Sequence, residues 1–219
     1  MRFEAVLFDC DGVLVDSEPI TNGLLRDMLE ESGWSLTPAE CMRIFVGKAV
    51  RDERALIEAR TGKPLTEEWM ARFYARRNQR LAAELQAIPG AVSSVAALHA
   101  SLNGRLACAS GADLAKVLLQ LEMVGLSRYF GKAVFSGHDL PRSKPAPDVY
   151  LAAAAHLAMP PAQCLVVEDT PTGVTAGVAA GAAVWAYCPD PTHGPALLQA
   201  GAQRLFTDMA LLPQLVARA

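Results

Sequence analysis

The chain runs Ala5-Val6-Leu7-Phe8-Asp9-Cys10-Asp11-Gly12-Val13-Leu14-Val15-Asp16-Ser17 near its start. The first four residues have the length and apolarity of a strand buried on both faces, as in a parallel sheet. Two carboxylates follow at alternate positions, and Gly12 turns the chain. Open α/β sheets bind ligands in the crevice beyond the carboxyl ends of their strands, so this pattern aims Asp9 and Asp11 at such a crevice. Paired aspartates there suit a bound cation, a nucleophile with an acid/base partner, or both. The competing reading is that they merely cap a turn.

Two textures follow. From about residue 19 to 87 the pattern is helical throughout. Ile20, Leu24, Leu25, Met28 and Leu29 share one face of a helix that Gly33 stops, and Thr37-Pro38-Ala39-Glu40 is a capping box opening a second. A third helix is predicted from Arg51 to about Arg60, and a fourth from Thr66 to about Gln86. Beyond Pro89-Gly90 the apolar runs 106–109, 133–135, 165–167 and 183–187 predict strands. Helical segments near 91–101, 112–122, 148–158, 172–180 and 208–217 alternate with them. This predicts an α/β fold: a doubly wound parallel sheet with an inserted helical bundle. The core comprises 1–15 and 88–219, the bundle 16–87. A lid inserted after the two aspartates would hang over them, with hinges near Asp16–Pro19 and Pro89-Gly90.

At 219 residues, 52% hydrophobic and 20% charged, with a net charge of −3, the chain can bury a substantial core and has no basic excess to suggest nucleic acid. Its apolar stretches are broken before they reach membrane-spanning length. Met1-Arg2-Phe3-Glu4 leads directly into the first strand, so no leader is expected. The five cysteines and four histidines are scattered, without a C-x-x-C pair. They fit a reduced, cytoplasmic protein without a zinc site; a monomer is expected.

Three further strand ends carry polar groups. Cys108-Ala109-Ser110-Gly111 ends one strand before a helix, where a hydroxyl and free N–H groups make an anion site; the alternative is a simple N-cap. Ser143-Lys144-Pro145-Ala146-Pro147-Asp148 holds a lysine between prolines, suited to a fixed point charge, although loop lysines are commonly solvated; Asp148 would cap the next helix. Val166-Val167-Glu168-Asp169 ends a strand with adjacent acids, which repel unless a cation is near. With Asp9 and Asp11 they form an all-oxygen donor set suited to Mg²⁺. Gly173, Gly177 and Gly181 would let the following helix pack closely.

In order, Asp9-x-Asp11-Gly12, Ser110, Lys144 and Glu168-Asp169 resemble the four motifs of the haloacid-dehalogenase superfamily of phosphohydrolases. The resemblance spans essentially the whole chain. The helical insert is similar to the cap of its phosphoglucomutase/phosphatase branch, and residues 134–144 and 187–191 resemble phosphatases of phosphosugar acids within it. The resemblance implies a Mg²⁺-dependent phosphatase of a small phosphorylated metabolite, a phosphosugar or phosphosugar acid. In it Asp9 is the nucleophile that forms an aspartyl-phosphate, and Asp11 is the general acid and then base. Mg²⁺ would be held by Asp9, the Asp11 backbone carbonyl and Asp169, with Glu168 acting through a water. Asp9, Asp11, Gly12, Ser110, Gly111 and Lys144 would surround the phosphate.

Within that branch, β-phosphoglucomutases place a histidine where this chain has Ile20-Thr21-Asn22, and a G-x-S-R-like stretch where it has Gly47-Lys48-Ala49-Val50-Arg51. Both departures disfavour a mutase, which stands as the alternative together with a non-catalytic phosphometabolite-binding protein. An aspartate at position 11 disfavours dehalogenation. Lys48 and Arg51 are candidates to receive a second negative group of the substrate. The stripe Arg72, Arg76, Arg80 fits a solvated face balanced by nearby glutamates.

Overall fold

The computed structural model describes residues 3–46 and 48–219. Met1, Arg2 and Gly47 lie outside them, and with them the first residues of the leader reading and of the Gly47–Arg51 stretch. The chain divides into two compact units, one formed by the residues up to Asp16 with Gln86–Ala219, the other by Ser17–Leu85. In chain order the elements are β1 (Ala5–Phe8), α1 (Glu18–Glu31), α2 (Pro38–Phe45), α3 (Arg54–Thr61) and α4 (Glu67–Glu84). Then come α5 (Ala91–Ser101), β2 (Leu106–Ser110), α6 (Leu114–Met123), α7 (Ser127–Phe130), β3 (Val134–Ser136), α8 (Asp148–His156) and β4 (Cys164–Glu168). The chain ends with α9 (Pro171–Ala179), β5 (Ala183–Tyr187), α10 (Gly194–Gln199), β6 (Arg204–Phe206) and α11 (Leu212–Ala217).

The first unit is built on a six-stranded parallel sheet in the order β3-β2-β1-β4-β5-β6. The strand order reverses direction at β1, which pairs with β2 on one side and β4 on the other. This is the topological switch point at which such sheets bind ligands. Every residue of β1, β2, β4 and β5 is buried, which explains why these strands are continuous apolar runs rather than alternating ones. Leu7, Ala107, Val166 and Val184 join one core cluster with Tyr150 and Val174 from the covering helices. The register sets Phe8 opposite both Cys108 and Val167, so the carboxyl ends of β1, β2 and β4 finish together.

The second unit contains α1 to α4 and no strand among its described residues. Leu25, Met28, Phe45, Met70 and Phe73 lie in its apolar core. Thr37 and Glu40 form the full reciprocal capping box, and Thr66 accepts the Trp69 N–H at the start of α4. Arg76 pairs with Glu31, and Arg80 with Asp27 and Glu84. Exposed pairs of this kind contribute about 0–1 kcal/mol, against about 1.5–3 kcal/mol for each fully buried large apolar side chain, so burial holds this unit together. Among the described residues no helix is long and apolar enough to cross a membrane.

The structure corrects several local expectations. The third helix starts at Arg54 rather than Arg51, because 51–53 are taken up by tight turns in which the Asp52, Glu53 and Arg54 N–H groups each bond three residues back. Asp148 is not a cap. It is the first residue of α8 and pairs with Arg142, while Pro147 holds the cap position. Gly173 and Gly177 do make close approaches, but Gly181 faces open space and simply ends the turn after α9. The short elements α7, α10 and β6 were not anticipated, since three to six residues carry too little periodicity to recognise. Val15 and Ala87 form an antiparallel bridge, Asp16 N–H donates to Gln86 O at 3.0 Å, and Ile88 N–H to Leu14 O at 3.0 Å. The two chain passages between the units therefore run side by side, and Pro89-Gly90 lies within the first unit.

Candidate active site

The three strand ends bring Asp9, Ser110, Glu168 and Asp169 to one edge of the sheet, and the loop before α8 adds Lys144. Extended backbone continues through Asp9, whose N–H donates to Val167 O at 3.0 Å. Lys144 Nζ lies 2.6 Å from Asp9 Oδ1, 2.7 Å from Glu168 Oε1 and 2.9 Å from Tyr150 Oη. All three ammonium hydrogens thus have an acceptor. The lysine of the proline-rich loop is therefore a buried ion-pair partner, and the solvated alternative is excluded.

Glu168 is saturated. Its Oε1 accepts from Lys144 and, at 2.7 Å, from Tyr150 Oη; its Oε2 accepts from the Asp169 and Thr170 N–H groups and the Thr170 hydroxyl. The side chain folds back over α9, where a Cβ on residue 173 would overlap its carboxylate, and only glycine leaves that room. Gly12 makes room in the same way for the Asp169 carboxylate, and its φ of +76° is one that side-chain-bearing residues rarely adopt.

The electrostatics follow from one cation among buried acids. Burial opposes the charge on Lys144, but Asp9 and Glu168 overcome this and hold its pKa well above the usual value. Burial works against ionised Glu168 too, yet the Lys144 charge and hydrogen bond bring its pKa below the ordinary carboxylate range. Asp9 is left as the group that takes a proton. Burial pushes its pKa up to about 7, with the Lys144 pull only partly offsetting it and Glu168 and Asp11 raising it further. Tyr150 is held well above its normal pKa, by burial first and then by Glu168.

Asp9, Glu168 and Asp169 offer carboxylate oxygens that all lie within 4.8 Å of one another. Three carboxylates gathered this closely, two of them paired with one lysine, are chemically suited to a divalent cation such as Mg²⁺. Asp11 does not join this group. Its Oδ1 accepts from Lys116 Nζ and Gln120 Nε2, each at 2.8 Å, both from α6. Ser110 is the last residue of β2, and its Oγ accepts the Ala112 N–H at 3.0 Å. The cap of α6 is Asp113, so the N-cap alternative for Ser110 is wrong. Ser136 steadies this loop by donating to Ala112 O at 2.7 Å. Gly111 follows Ser110 at the mouth of the same loop. Lys48 and Arg51 belong to the helical unit and pair there, with Glu53 at 3.1 Å and Glu67 at 3.0 Å.

Sequence reasoning missed Tyr150, Lys116 and Gln120. Tyr150 sits two residues into α8 and looks like any apolar core position; the other two lie on a helix whose polar residues resemble a solvent face. Cys10, between the aspartates, is fully buried and turned toward Gln120.

A buried aspartate with a fixed lysine and a cluster of oxygen donors, set at the switch point of a parallel sheet, is a candidate site for hydrolytic chemistry. The family model of haloacid dehalogenase-like hydrolases matches residues 3–181, and the chain belongs to that family. It is 31% identical to the 6-phosphogluconate phosphatase of Escherichia coli (strain K12) over 98% of this chain and 95% of that protein. It is also 31% identical to the phosphorylated carbohydrates phosphatase of Thermotoga maritima, over 92% of this chain and 93% of that one. Among solved structures, a HAD family hydrolase from Deinococcus radiodurans R1 with bound phosphate and sodium superposes with a TM-score of 0.80. It is 32% identical, with 99% of this chain and 96% of that chain covered.

Tyr150→Phe removes one donor from Glu168 and one acceptor from Lys144 while keeping the ring. We expect a loss of about 1–3 kcal/mol in the free energy of urea unfolding. Unchanged stability would show that the remaining donors hold Glu168 unaided.

Proposed function

We propose that this hydrolase is a Mg²⁺-dependent phosphatase of a small phosphorylated sugar or sugar acid, 6-phosphogluconate being the leading example. The observation that carries the reading is Asp9 fixed by Lys144 beside Glu168 and Asp169, with Asp11 two residues further on. The names of the full-length relatives support the substrate class.

In this reading Asp9 attacks phosphorus and the bond to the leaving oxygen breaks, while Asp11 gives that oxygen a proton. Water then attacks the aspartyl-phosphate, Asp11 takes the proton of the water, and the Asp9–phosphorus bond breaks. Lys144 holds Asp9 and balances phosphate charge. The Ser110 hydroxyl and the N–H groups after it receive phosphate oxygens, and Gly12 lets the chain pass close by. Asp9, Asp169 and the Asp11 carbonyl would hold Mg²⁺, which supplies positive charge where a carboxylate meets a phosphate dianion. Glu168, already engaged by five donors, suits contact through a water rather than direct ligation.

Phosphate release from a panel of 6-phosphogluconate, phosphoglycolate, several sugar phosphates and β-glucose 1-phosphate, with and without Mg²⁺, tests the reading. We expect Mg²⁺-dependent release that Asp9→Asn abolishes. Conversion of β-glucose 1-phosphate to glucose 6-phosphate without net release would make the protein a phosphoglucomutase instead. Silence throughout would leave a binding protein or a substrate outside the panel.

The pKa of Asp9 gives a pH dependence. A folded value raised to about 7 means the fold gains from the bound proton at low pH and loses that gain as pH rises through 7. A cation binds only the ionised form, so proton and Mg²⁺ compete. The rise in thermal midpoint caused by Mg²⁺ should therefore grow as pH increases from about 6 to 8. A rise that is flat, or greater at the acid end, would remove Asp9 from the ligands.

Lys48 and Arg51 are proposed to read a carboxylate on the substrate. Both side chains are about half exposed, and their surface pairs cost little to exchange for a new acceptor. Lys48→Ala or Arg51→Ala should lower kcat/KM for 6-phosphogluconate relative to an uncharged sugar phosphate by about 10-fold or more. An unchanged ratio would exclude that role.

A further inference from the structure

Two side chains of α6 are buried polar groups to which the reaction scheme gives no part. Lys116 is 7% exposed and Gln120 fully buried. They stand four residues apart, on one face of the helix. Both donate to the same atom, Asp11 Oδ1, at 2.8 Å. Each donor is itself anchored. Gln120 Oε1 accepts from Cys10 Sγ at 3.5 Å, which sets the amide with its nitrogen toward Asp11. The Lys116 N–H bonds the capping Asp113 carboxylate at 2.9 Å, fixing the first turn of α6 beneath the lysine.

Burying an ammonium and an amide is costly unless both are paired, and an apolar pair would pack the same helix at no such cost. An aspartate left to itself turns broadly about its last torsion, with either oxygen forward. Two donors converging on Oδ1 remove that freedom. We propose that Lys116 and Gln120 are positioning residues for Asp11: they clamp Oδ1 so that Oδ2 carries the proton to and from the reacting phosphate. The inference rests on the aspartyl-phosphate reading. In the first half-reaction the Oδ2 proton goes to the leaving oxygen as its bond to phosphorus breaks. In the second, Oδ2 takes a proton from the attacking water as the Asp9–phosphorus bond breaks.

The test compares two leaving groups in Lys116→Met. An alkoxide needs a proton to depart, whereas p-nitrophenolate does not, but both routes share the second half-reaction. Turnover of the best sugar phosphate should fall about 10–100-fold, with KM little changed. With p-nitrophenyl phosphate, stopped-flow should show a nitrophenolate burst at the wild-type phosphorylation rate followed by slow turnover, as the aspartyl-phosphate accumulates. Lys116→Arg, which keeps charge and donors, should restore most of the turnover. Should Lys116→Met fail to fold by circular dichroism, Gln120→Met carries the same comparison, since it removes one donor and keeps the charge. A burst that slows in step with turnover, a change in KM alone, or no change in either substrate overturns the inference. If Asp9→Asn abolishes release and the α6 variants do not alter it, the inference alone falls. An inert wild type overturns the phosphatase reading and the inference with it.

Discussion

One ammonium group shared between two buried carboxylates organises the site. Lys144 satisfies Asp9 and Glu168 at once and fills its third hydrogen-bonding position with Tyr150. That arrangement requires β1 and β4 to end at the same level, which their register provides. It also requires the lysine loop to arrive at a fixed height above the sheet, and α8, packed on β1, β2 and β3, sets that height through Tyr150. Removing Lys144 would strand two acids in an apolar setting, a loss of about 3–5 kcal/mol by comparison with other buried pairs. The packing of the strand ends and the charge balance of the cluster therefore depend on the same side chain.

The two aspartates of the opening motif, two residues apart, are served by different parts of the sheet. Asp9 is held from the α8 side by Lys144, and Asp11 from the α6 side by Lys116 and Gln120. The separation keeps the two carboxylates from competing for one cation. It also gives Cys10 a reason to be where it is. Buried between the aspartates and donating to Gln120, the thiol couples the strand end to α6 without adding charge.

How much of this was legible in the sequence depended on the kind of signal. The central strands stood out because burial on both faces makes them unbroken apolar runs, and Asp9, Ser110 and Glu168 stood at the ends of such runs, whereas Lys144 was marked by the prolines around it. Helix starts with a capping box were clear at Thr37, where local hydrogen bonding decides the structure. Arg51 was misread as helical because nothing in its neighbours distinguishes a helix from successive tight turns. The strand β6 was missed because Arg204 and Leu205 are partly or wholly exposed, leaving no buried run to recognise. Tyr150, Lys116 and Gln120 were invisible for a deeper reason. Apart from Lys144, six residues from Tyr150, their partners lie 18 to 110 residues away, and no local pattern marks a polar residue on a helix as buried.

The glycine at position 173 ties two residues into a single heritable unit. Its missing side chain is the space into which the Glu168 carboxylate folds, and five hydrogen bonds stop that carboxylate from yielding. A methyl group at 173 is thus intolerable only while a long acid occupies 168; shorten that acid and the prohibition lifts. Substitutions at the two sites should be strongly non-additive, and a route through sequence space that alters the acid must change residue 168 before residue 173.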